Sequence, residues 1–572
     1  MTVPMTVPMA VPMTVPMTGA ARVWDALCRH IDGMAIGTTM AALHERGALA
    51  MLAARDRTDF GPLCERLNAN AGFLHVAMRL LADQGWVARH GEPGTDEMTI
   101  APTARGRVVM TRLAGAYQAA VRSLPVRVHS DPGPFGALMR REWGLAAAGV
   151  PPDVRHQVLS HLNGHLVAPV MHAVSSGEAD IAASRGAAEI LALAGWARLD
   201  GEVPGLTPDG EIAVSLARQY RYPVMYLPLL RQVPELLFGE PGKTGDGGEE
   251  THLDRELDLR FSGDVFSAAC REPFLALALP LFEKGPLDRQ PALVVDAGCG
   301  DGALLETLYL AVRERTERGR CLAERPLVMA GVDPSPVARR MASARLSSAG
   351  VPHVILDGDI GDPAGLERAL AERGLDARDA LHVCKSAIHD RAYTGPGQTG
   401  PRAGAQQGGG PPAGAGAYAL PDGSAIPASS VALDLAGLFR RWLPVASRHG
   451  WLVIEAHAVP AAILAGLVGR THATVLDATH GYACQYPVEP GVFAWAARAG
   501  GFVSRGHAEP GAAALGHTIL TIDHFVPGPA DRPVQTVRSG NAVPPRAARG
   551  SGWPPARCRT SRSCRPPGTA SS

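Results

Sequence analysis

The chain has 572 residues, 46% of them hydrophobic, which is enough to bury more than one core, so two or three folded units are expected. Its 55 basic residues are balanced by 55 acidic ones, so it lacks the cationic surplus of a nucleic-acid or anionic-membrane binder, and neither partner is expected. The 9 cysteines stand singly with no C-x-x-C pair and read as reduced thiols of a cytoplasmic protein, and apolar stretches such as Leu275 to Phe282 are too short to span a bilayer.

Residues 1–19 repeat Met-Thr-Val-Pro, whose regular prolines exclude a helical signal-peptide core. Several methionines there are candidate starts, and the repeat is set apart from the folded units. Residues 20–115 follow a helical pattern that closes in a recognisable unit. Ala41 to Leu52 is an amphipathic helix, and Phe60 to Asn68 with Ala71 to Gln84 form a helix-turn-helix. Gly85-Trp86-Val87-Ala88 then opens a strand leading through the Gly91–Gly94 turn to Met98-Thr99-Ile100. This is a winged-helix outline. Reading DNA would require a basic recognition helix, whereas Ala71 to Gln84 carries only Arg79 and one histidine, so the expected role is packing or homodimerisation. Residues 116–285 continue as a helical region with a weaker second copy. There, Leu191 to Leu199, Leu206-Thr207-Pro208-Asp209-Gly210 and the helix after Glu211 repeat the order of helix, Gly-Trp, turn and helix.

Residues 286–526 change to alternating β and α. The run Ala292 to Val295 is a buried strand, followed by Asp296-Ala297-Gly298-Cys299-Gly300-Asp301-Gly302 and an apolar helix, Ala303 to Arg313. Glycines 298, 300 and 302 let backbone approach a ligand at the strand end, where side chains would collide. A second strand, Leu327 to Val332, ends in Asp333, an acid placed to take the two hydroxyls of a ribose; by itself this also fits a dinucleotide. The stretch Arg313 to Arg325 between them reads as a surface extension. A third strand, His353 to Leu356, runs into Asp357-Gly358-Asp359-Ile360, where Asp359 and Ile360 would meet an adenine. The fourth, Ala380 to Cys384, ends in Lys385-Ser386, and the fifth is Trp451 to Glu455.

In combination these motifs resemble an α/β Rossmann-like class I methyltransferase domain, preceded here by a mainly helical, winged-helix-like N-terminal region. The resemblance implies S-adenosyl-L-methionine as cofactor, held by Asp296, Gly298, Gly300, Gly302, Asp333, Asp359, Ile360 and Lys385. Two more constellations follow strands four and five: Ser386-Ala387-Ile388-His389-Asp390-Arg391-Ala392-Tyr393, and Asp477-Ala478-Thr479-His480-Gly481-Tyr482-Ala483-Cys484-Gln485-Tyr486. Ligands of doubly wound folds sit outside the carboxyl ends of the strands, so the two are expected to be loops that converge on the acceptor. Asp390 and Arg391 are equally readable as a structural ion pair, Tyr482, Tyr486 and Trp495 as core, and Cys299 and Cys384 as packing.

With His252-Leu253-Asp254-Arg255, Pro286 to Gln290 and the Gly416 to Pro427 segment, these motifs are similar to methyltransferases related to 2-ketoarginine methyltransferase and to the apratoxin-type loading-module methyltransferase. The likeness covers residues 250 to 525. It implies C-methylation beside a carbonyl of a 2-oxo acid or a carrier-bound, malonyl-type acceptor in secondary metabolism. It also implies a divalent metal (iron, manganese or zinc) held by His480 and Gln485 with His389 or Asp390 as a third ligand, and His389 and Asp390 as the catalytic residues. The competing readings are an O- or N-methyltransferase of a small molecule with a winged-helix dimerisation domain, in which the histidine is a plain base, and a regulator or scaffold that senses S-adenosylmethionine. Thr394 to Gly416 reads as a flexible insertion, and residues 527–572, rich in Pro, Arg, Ser and Gly, as a disordered tail.

Overall fold

Two long helices organise the N-terminal half. Helix α1 (Gly19–Glu45) starts well before the expected Ala41 and stops at Gly47, whose φ of 79° re-aims the chain into Ala48–Ala53. It lies against α3 (Pro152–Ser176) at glycines that admit no side chain. A Cβ on Gly33 would stand 2.4 Å from the His161 Cα, and one on Gly164 would stand 2.2 Å from the His30 carbonyl oxygen. The buried histidines at this crossing are tied by tyrosines, His30 Nδ1 to the Tyr220 hydroxyl and His161 Nδ1 to the Tyr117 hydroxyl, both at 2.8 Å. The computed structural model describes residues 19–122, 150–201, 203–241, 252–283, 285–396, 410–512, 516–528 and 535–536. The Met-Thr-Val-Pro repeat, the middle of the 394–416 insertion and nearly all of the tail lie outside these residues.

The winged-helix outline is present. Helices Phe60–Leu67 and α2 (Ala71–Asp83) precede strands Val87–His90 and Thr99–Pro102, and Thr58–Asp59 completes a three-stranded sheet. A second unit repeats its local chemistry. In the first, the Thr103 hydroxyl accepts from Gly106 N at 3.0 Å, Thr103 N donates to the Trp86 carbonyl at 2.9 Å, and a Cβ on Gly106 would strike that carbonyl. In the second, the Thr207 hydroxyl accepts from Gly210 N at 3.1 Å, Thr207 N donates to the Trp196 carbonyl at 3.0 Å, and Gly210 meets the same obstacle. One Gly-Trp turn, Thr cap and Gly contact is therefore used twice, as the repeated pattern in the sequence suggested.

The C-terminal half is built on an eight-stranded sheet. Its strands are β1 (Leu293–Ala297), β2 (Val328–Val332), β3 (His353–Leu356), β4 (Ala380–Lys385), β5 (Trp451–Ala456), β6 (Phe502–Ala508), β7 (Leu520–Pro527) and β8 (Gln535–Thr536), in the order β8-β6-β7-β5-β4-β1-β2-β3. The pairs from β3 to β5 are parallel, and β7 inserts antiparallel between β5 and β6. β1 is buried along its whole length, as its apolar run Leu293 to Val295 requires, and Asp296 is buried with it. The strands β6 and β7 were not expected from the sequence: Ser504, Arg505, His507, Asp523 and His524 interrupt their apolar pattern, and the pairs Ser504–Asp523 and His507–Asp523 join the two strands. Gln535 and Thr536 pair in parallel with Gly506 and His507, so the segment read as a tail adds an edge strand. The Arg313–Arg325 stretch is more than surface, because Arg318 is buried and donates to the carbonyls of Leu287 and Pro326.

Before β1 the chain is helical without a break from Arg255 to Phe282, longer than the Leu275 to Phe282 stretch judged from sequence. Among the described residues it is the one helix long and apolar enough to cross a membrane. Its apolar residues Phe266, Phe274, Leu275 and Phe282 pack into one core with Val294, Met329, Leu381 and Ile454 of the sheet. Its first turns lie over the glycine loop. Helix α4 (Ala303–Arg315) follows that loop, and α5 (Pro336–Ser348), α6 (Ala428–Trp442), α7 (Ala473–Tyr482) and α8 (Pro490–Ala499) complete the C-terminal half.

Candidate active site

The loop after β1 is pinned from below by the second strand. Gly298 N and Cys299 N both donate to the Val332 carbonyl, at 2.8 and 3.1 Å. Gly298 turns with φ 87°, and a Cβ there would lie 2.6 Å from that of Ala387. Asp333 joins the loop to its own strand, with Oδ2 accepting from Gly300 N at 3.0 Å and Oδ1 from Ser335 N at 2.9 Å. Burial raises its pKa, against those two hydrogen bonds. The carboxylate is thereby fixed with acceptor capacity left for hydroxyl donors. Asp296 is buried beneath the loop, its pKa driven up by burial and by Asp333, and its Oδ1 has no hydrogen-bond partner. Lys385, at the end of β4, donates to the Ser262 hydroxyl of the covering helix and faces Asp258, Asp301 and Asp296. Asp359 is exposed at the end of β3, and the Ile360 carbonyl accepts from Trp442 Nε1 at 2.9 Å. The expected cofactor residues thus line the carboxyl ends of β1 to β4.

Both acceptor constellations reach the same edge, although Asp477 to Tyr482 is the end of α7 rather than a loop. Each passes a non-glycine residue with left-handed backbone on the way: Ser386 (φ 53°) just after β4, and Cys484 (φ 57°) just before Gln485. Such residues cost roughly 1–2 kcal/mol each and persist where surrounding contacts enforce them. Here the result is convergence. The His389 and His480 rings meet edge-on with centroids 4.8 Å apart, Tyr486 N donates to the His389 carbonyl at 2.7 Å, and Gln485 N donates to the His480 carbonyl at 2.8 Å.

Behind His389 stands Glu455, which the sequence reading placed at the end of a strand without a role. Its Oε1 takes His389 Nδ1 and Ala456 N, and its Oε2 accepts Ile388 N at 3.1 Å. Burial opposes a charge on His389, but the Glu455 carboxylate outweighs it and raises the imidazole pKa, while burial and His389 drive that of His480 well down. A carboxylate ending an otherwise apolar central strand was the signal available in the sequence. Asp390 and Arg391 do not pair with each other. Arg391 is sealed in an ion pair with Asp434 at 2.9 Å, and exposed Asp390 accepts Gln485 Nε2 at 2.7 Å. Gln485 Oε1 is buried with no hydrogen-bond partner. Among the described residues no three His, Cys, Asp or Glu side chains form a metal-binding group.

The N-terminal half contributes a wall beside the acceptor constellations. Tyr222 packs at a tilt against Tyr226 and Phe261, at 5.3 and 5.5 Å between centroids, and its hydroxyl meets Thr479 Oγ1 at 2.6 Å, one residue before His480. Tyr482 and Tyr486 are core, as expected, with hydroxyls on Thr39 and the Ala419 carbonyl, and Cys299 and Cys384 are buried.

Residues 250–511 match the family described as the AprA MT2-like domain, a methyltransferase family, and residues 24–89 match the AprA N-terminal domain. The chain is an S-adenosylmethionine-dependent class I methyltransferase. The methyltransferase is also distantly similar to solved structures. An O-methyltransferase family 2 protein from Planctomyces limnophilus in complex with apigenin is 12% identical over 90% of this chain and 99% of that one, with TM-score 0.39. Human N-acetylserotonin methyltransferase in complex with SAM is 12% identical over 86% and 94%, with TM-score 0.24. The DszA carbon methyltransferase is 14% identical over 64% and 89%, with TM-score 0.27. No curated protein matches the sequence.

Proposed function

We propose that this methyltransferase methylates the carbon beside a carbonyl in a 2-oxo acid or malonyl-type acceptor, free or carrier-bound, in secondary metabolism. In this reading His389, His480 and Gln485 hold a divalent iron, manganese or zinc ion. The observation that carries the reading is the Glu455–His389 pair set edge-on to His480 at the carboxyl ends of β4 and β5. A carboxylate on one ring nitrogen is how a metal-binding imidazole is oriented, leaving the other nitrogen for the ion. The partnerless, buried Gln485 Oε1 is a donor atom in want of a cation, and a mixed nitrogen and amide-oxygen set is compatible with all three metals.

S-adenosylmethionine supplies the electrophilic methyl group and the ion, when bound, the Lewis acidity that acidifies the acceptor C–H. The remaining tasks fall to the chain. Asp333 and the glycine loop hold the adenosyl group. Asp390, steadied by Gln485, takes the acceptor's proton. Tyr222, Tyr226 and Phe261 keep bulk water from the enolate, and their wall fixes the approach of its carbon, which matters more than further acid catalysis because charge cancels during transfer.

A second reading rests on the same pair. With Glu455 on Nδ1, Nε2 of His389 also has the orientation of a general base, as O- or N-methylation would need. Elemental analysis of the purified protein, combined with a labelled-methyl screen over 2-oxo acids and carrier-bound malonyl groups with and without chelator, separates the two. A copurifying ion and chelator-sensitive labelling of a 2-oxo or malonyl acceptor are expected. No ion and chelator-indifferent labelling of a phenol or amine would transfer the assignment to the second reading.

A further inference from the structure

We propose that Arg79, on the helix that reads DNA in winged-helix regulators, is a positioning residue that holds α7 and so sets where His480 stands; the inference rests on His480 being a metal ligand. Arg79 is 2% exposed. Its guanidinium pairs with Asp83 of its own helix at 2.9 Å and with Asp477 of α7 at 2.7 Å. It also donates to the Ala415 carbonyl at 2.9 Å and to that of Val459, just past β5. One rigid fork therefore fastens three segments that meet at the acceptor edge, and Asp477 sits one helical turn before His480.

Helix α7 depends on such external ties. It has no side-chain cap at His472; instead Val475 N donates to Asp32 of α1 at 3.1 Å, and Thr474 accepts from Gln84 at 2.8 Å. Its apolar residues Val475, Ala478 and Tyr482 belong to the core of the N-terminal half, not to that of the sheet. His480 is therefore carried on a helix that the N-terminal half holds, while His389 is carried on the sheet. The distance between them is set by how the two halves are clasped. Burial and Asp477 already drive the Asp83 pKa up, so removing Arg79 would leave the two acids in a dry interior with Arg89 as a remaining partner cation and weaken the hold on α7.

The test uses the full chain with Arg79→Met, Arg79→Lys and Asp477→Asn, and His480→Ala as reference. Manganese(II) binding is read by paramagnetic resonance, S-adenosylmethionine binding by calorimetry, and folding by thermal melting. His480→Ala is expected to abolish manganese binding. Arg79→Met and Asp477→Asn should weaken it by about 10- to 100-fold, the usual range for a residue supporting a ligand, with cofactor affinity held within about twofold and Arg79→Lys intermediate. Should Arg79→Met fail to fold, Asp477→Asn, which keeps the side chain's size and one accepting oxygen while removing its charge, reads the same contact. If Arg79→Met and Asp477→Asn bind manganese as the parent does while His480→Ala does not, the positioning role is wrong and the metal reading survives. Parallel loss of manganese and cofactor affinity would reduce Arg79 to general scaffolding and also overturn the inference. If His480→Ala binds manganese normally, the metal reading itself falls, and this inference with it.

Discussion

Replacing Glu455 by glutamine keeps the size of the side chain and removes its charge, and the surrounding donors determine the consequence. One carboxylate oxygen accepts from His389 Nδ1 and Ala456 N, the other from Ile388 N. A glutamine offers one accepting oxygen and one donating nitrogen. If the amide nitrogen faces Ile388, a buried donor is stranded; if it faces His389, the ring must switch tautomer and put its proton on Nε2, the atom that would bind a metal or take a proton. Either outcome forfeits one charge-assisted hydrogen bond of about 1.5–3 kcal/mol, which corresponds to a loss of roughly 10- to 150-fold. Single-turnover transfer from methyl-labelled S-adenosylmethionine should show that loss, while calorimetric binding of the cofactor, whose candidate residues Gly298 and Asp333 follow β1 and β2, stays at the parental value. Transfer within about threefold of the parent would refute the argument that Glu455 sets the His389 tautomer.

Asp333→Ala should weaken S-adenosylmethionine binding by about 10- to 100-fold in calorimetry, since it removes both the hydroxyl acceptor and the tether to Gly300 N, and Asp333→Asn should lose less; equal affinity for all three proteins would rule out the ribose contact. Burial holds the pKa of His30 at about 3 and those of His165, His382 and His472 at about 4. These groups are depressed below their unfolded value near 6.5, so the unfolded chain binds protons first on acidification. Each therefore removes about 1.4 kcal/mol of stability per pH unit below pH 6.5, and that loss levels off near the folded values. The melting temperature should fall steeply from pH 6.5 to 5, and a flat profile would contradict the burial of these rings. Gly164→Val should lower it at every pH by forcing α1 and α3 apart, at a cost of about 1–3 kcal/mol or more; unchanged melting would mean that the two backbones are not in contact there.

The geometry of the candidate cofactor site was legible because its determinants are local. Three glycines follow one strand and an acid ends the next, and the sheet's hydrogen bonding brings Gly298 and Asp333 together without further instruction. The central strands were equally readable, since their buried residues form short, mainly apolar runs, with acids such as Asp296 and Glu455 placed near the carboxyl ends. β6 and β7 were missed because at the antiparallel side of the sheet polar residues can pair across strands, as His507 does with Asp523. The acceptor side lay in long-range contacts. Nothing near Glu455 in sequence points to His389, 66 positions away, and Arg391 finds its acid in Asp434 on α6 rather than in adjacent Asp390. Adjacency misled there because the turn after Ser386 sends neighbouring side chains in opposite directions.

The same long-range contacts determine what the winged helix can do. A recognition helix must present its N-terminal side chains to a major groove, yet residues 72–83 of α2 are all buried. Gly72 is pressed against the Ala419 and Ser424 segment, where a Cβ would lie 2.4 Å from the Ser424 carbonyl oxygen, and Val76 against Gly481. The arginine that might have met a phosphate is neutralised by Asp83 and Asp477, and the pair of acids holds its charge despite burial. Exposing that helix to DNA would mean unpacking α7 and displacing His480, so a regulator built on this element would have to dismantle the acceptor site in order to act.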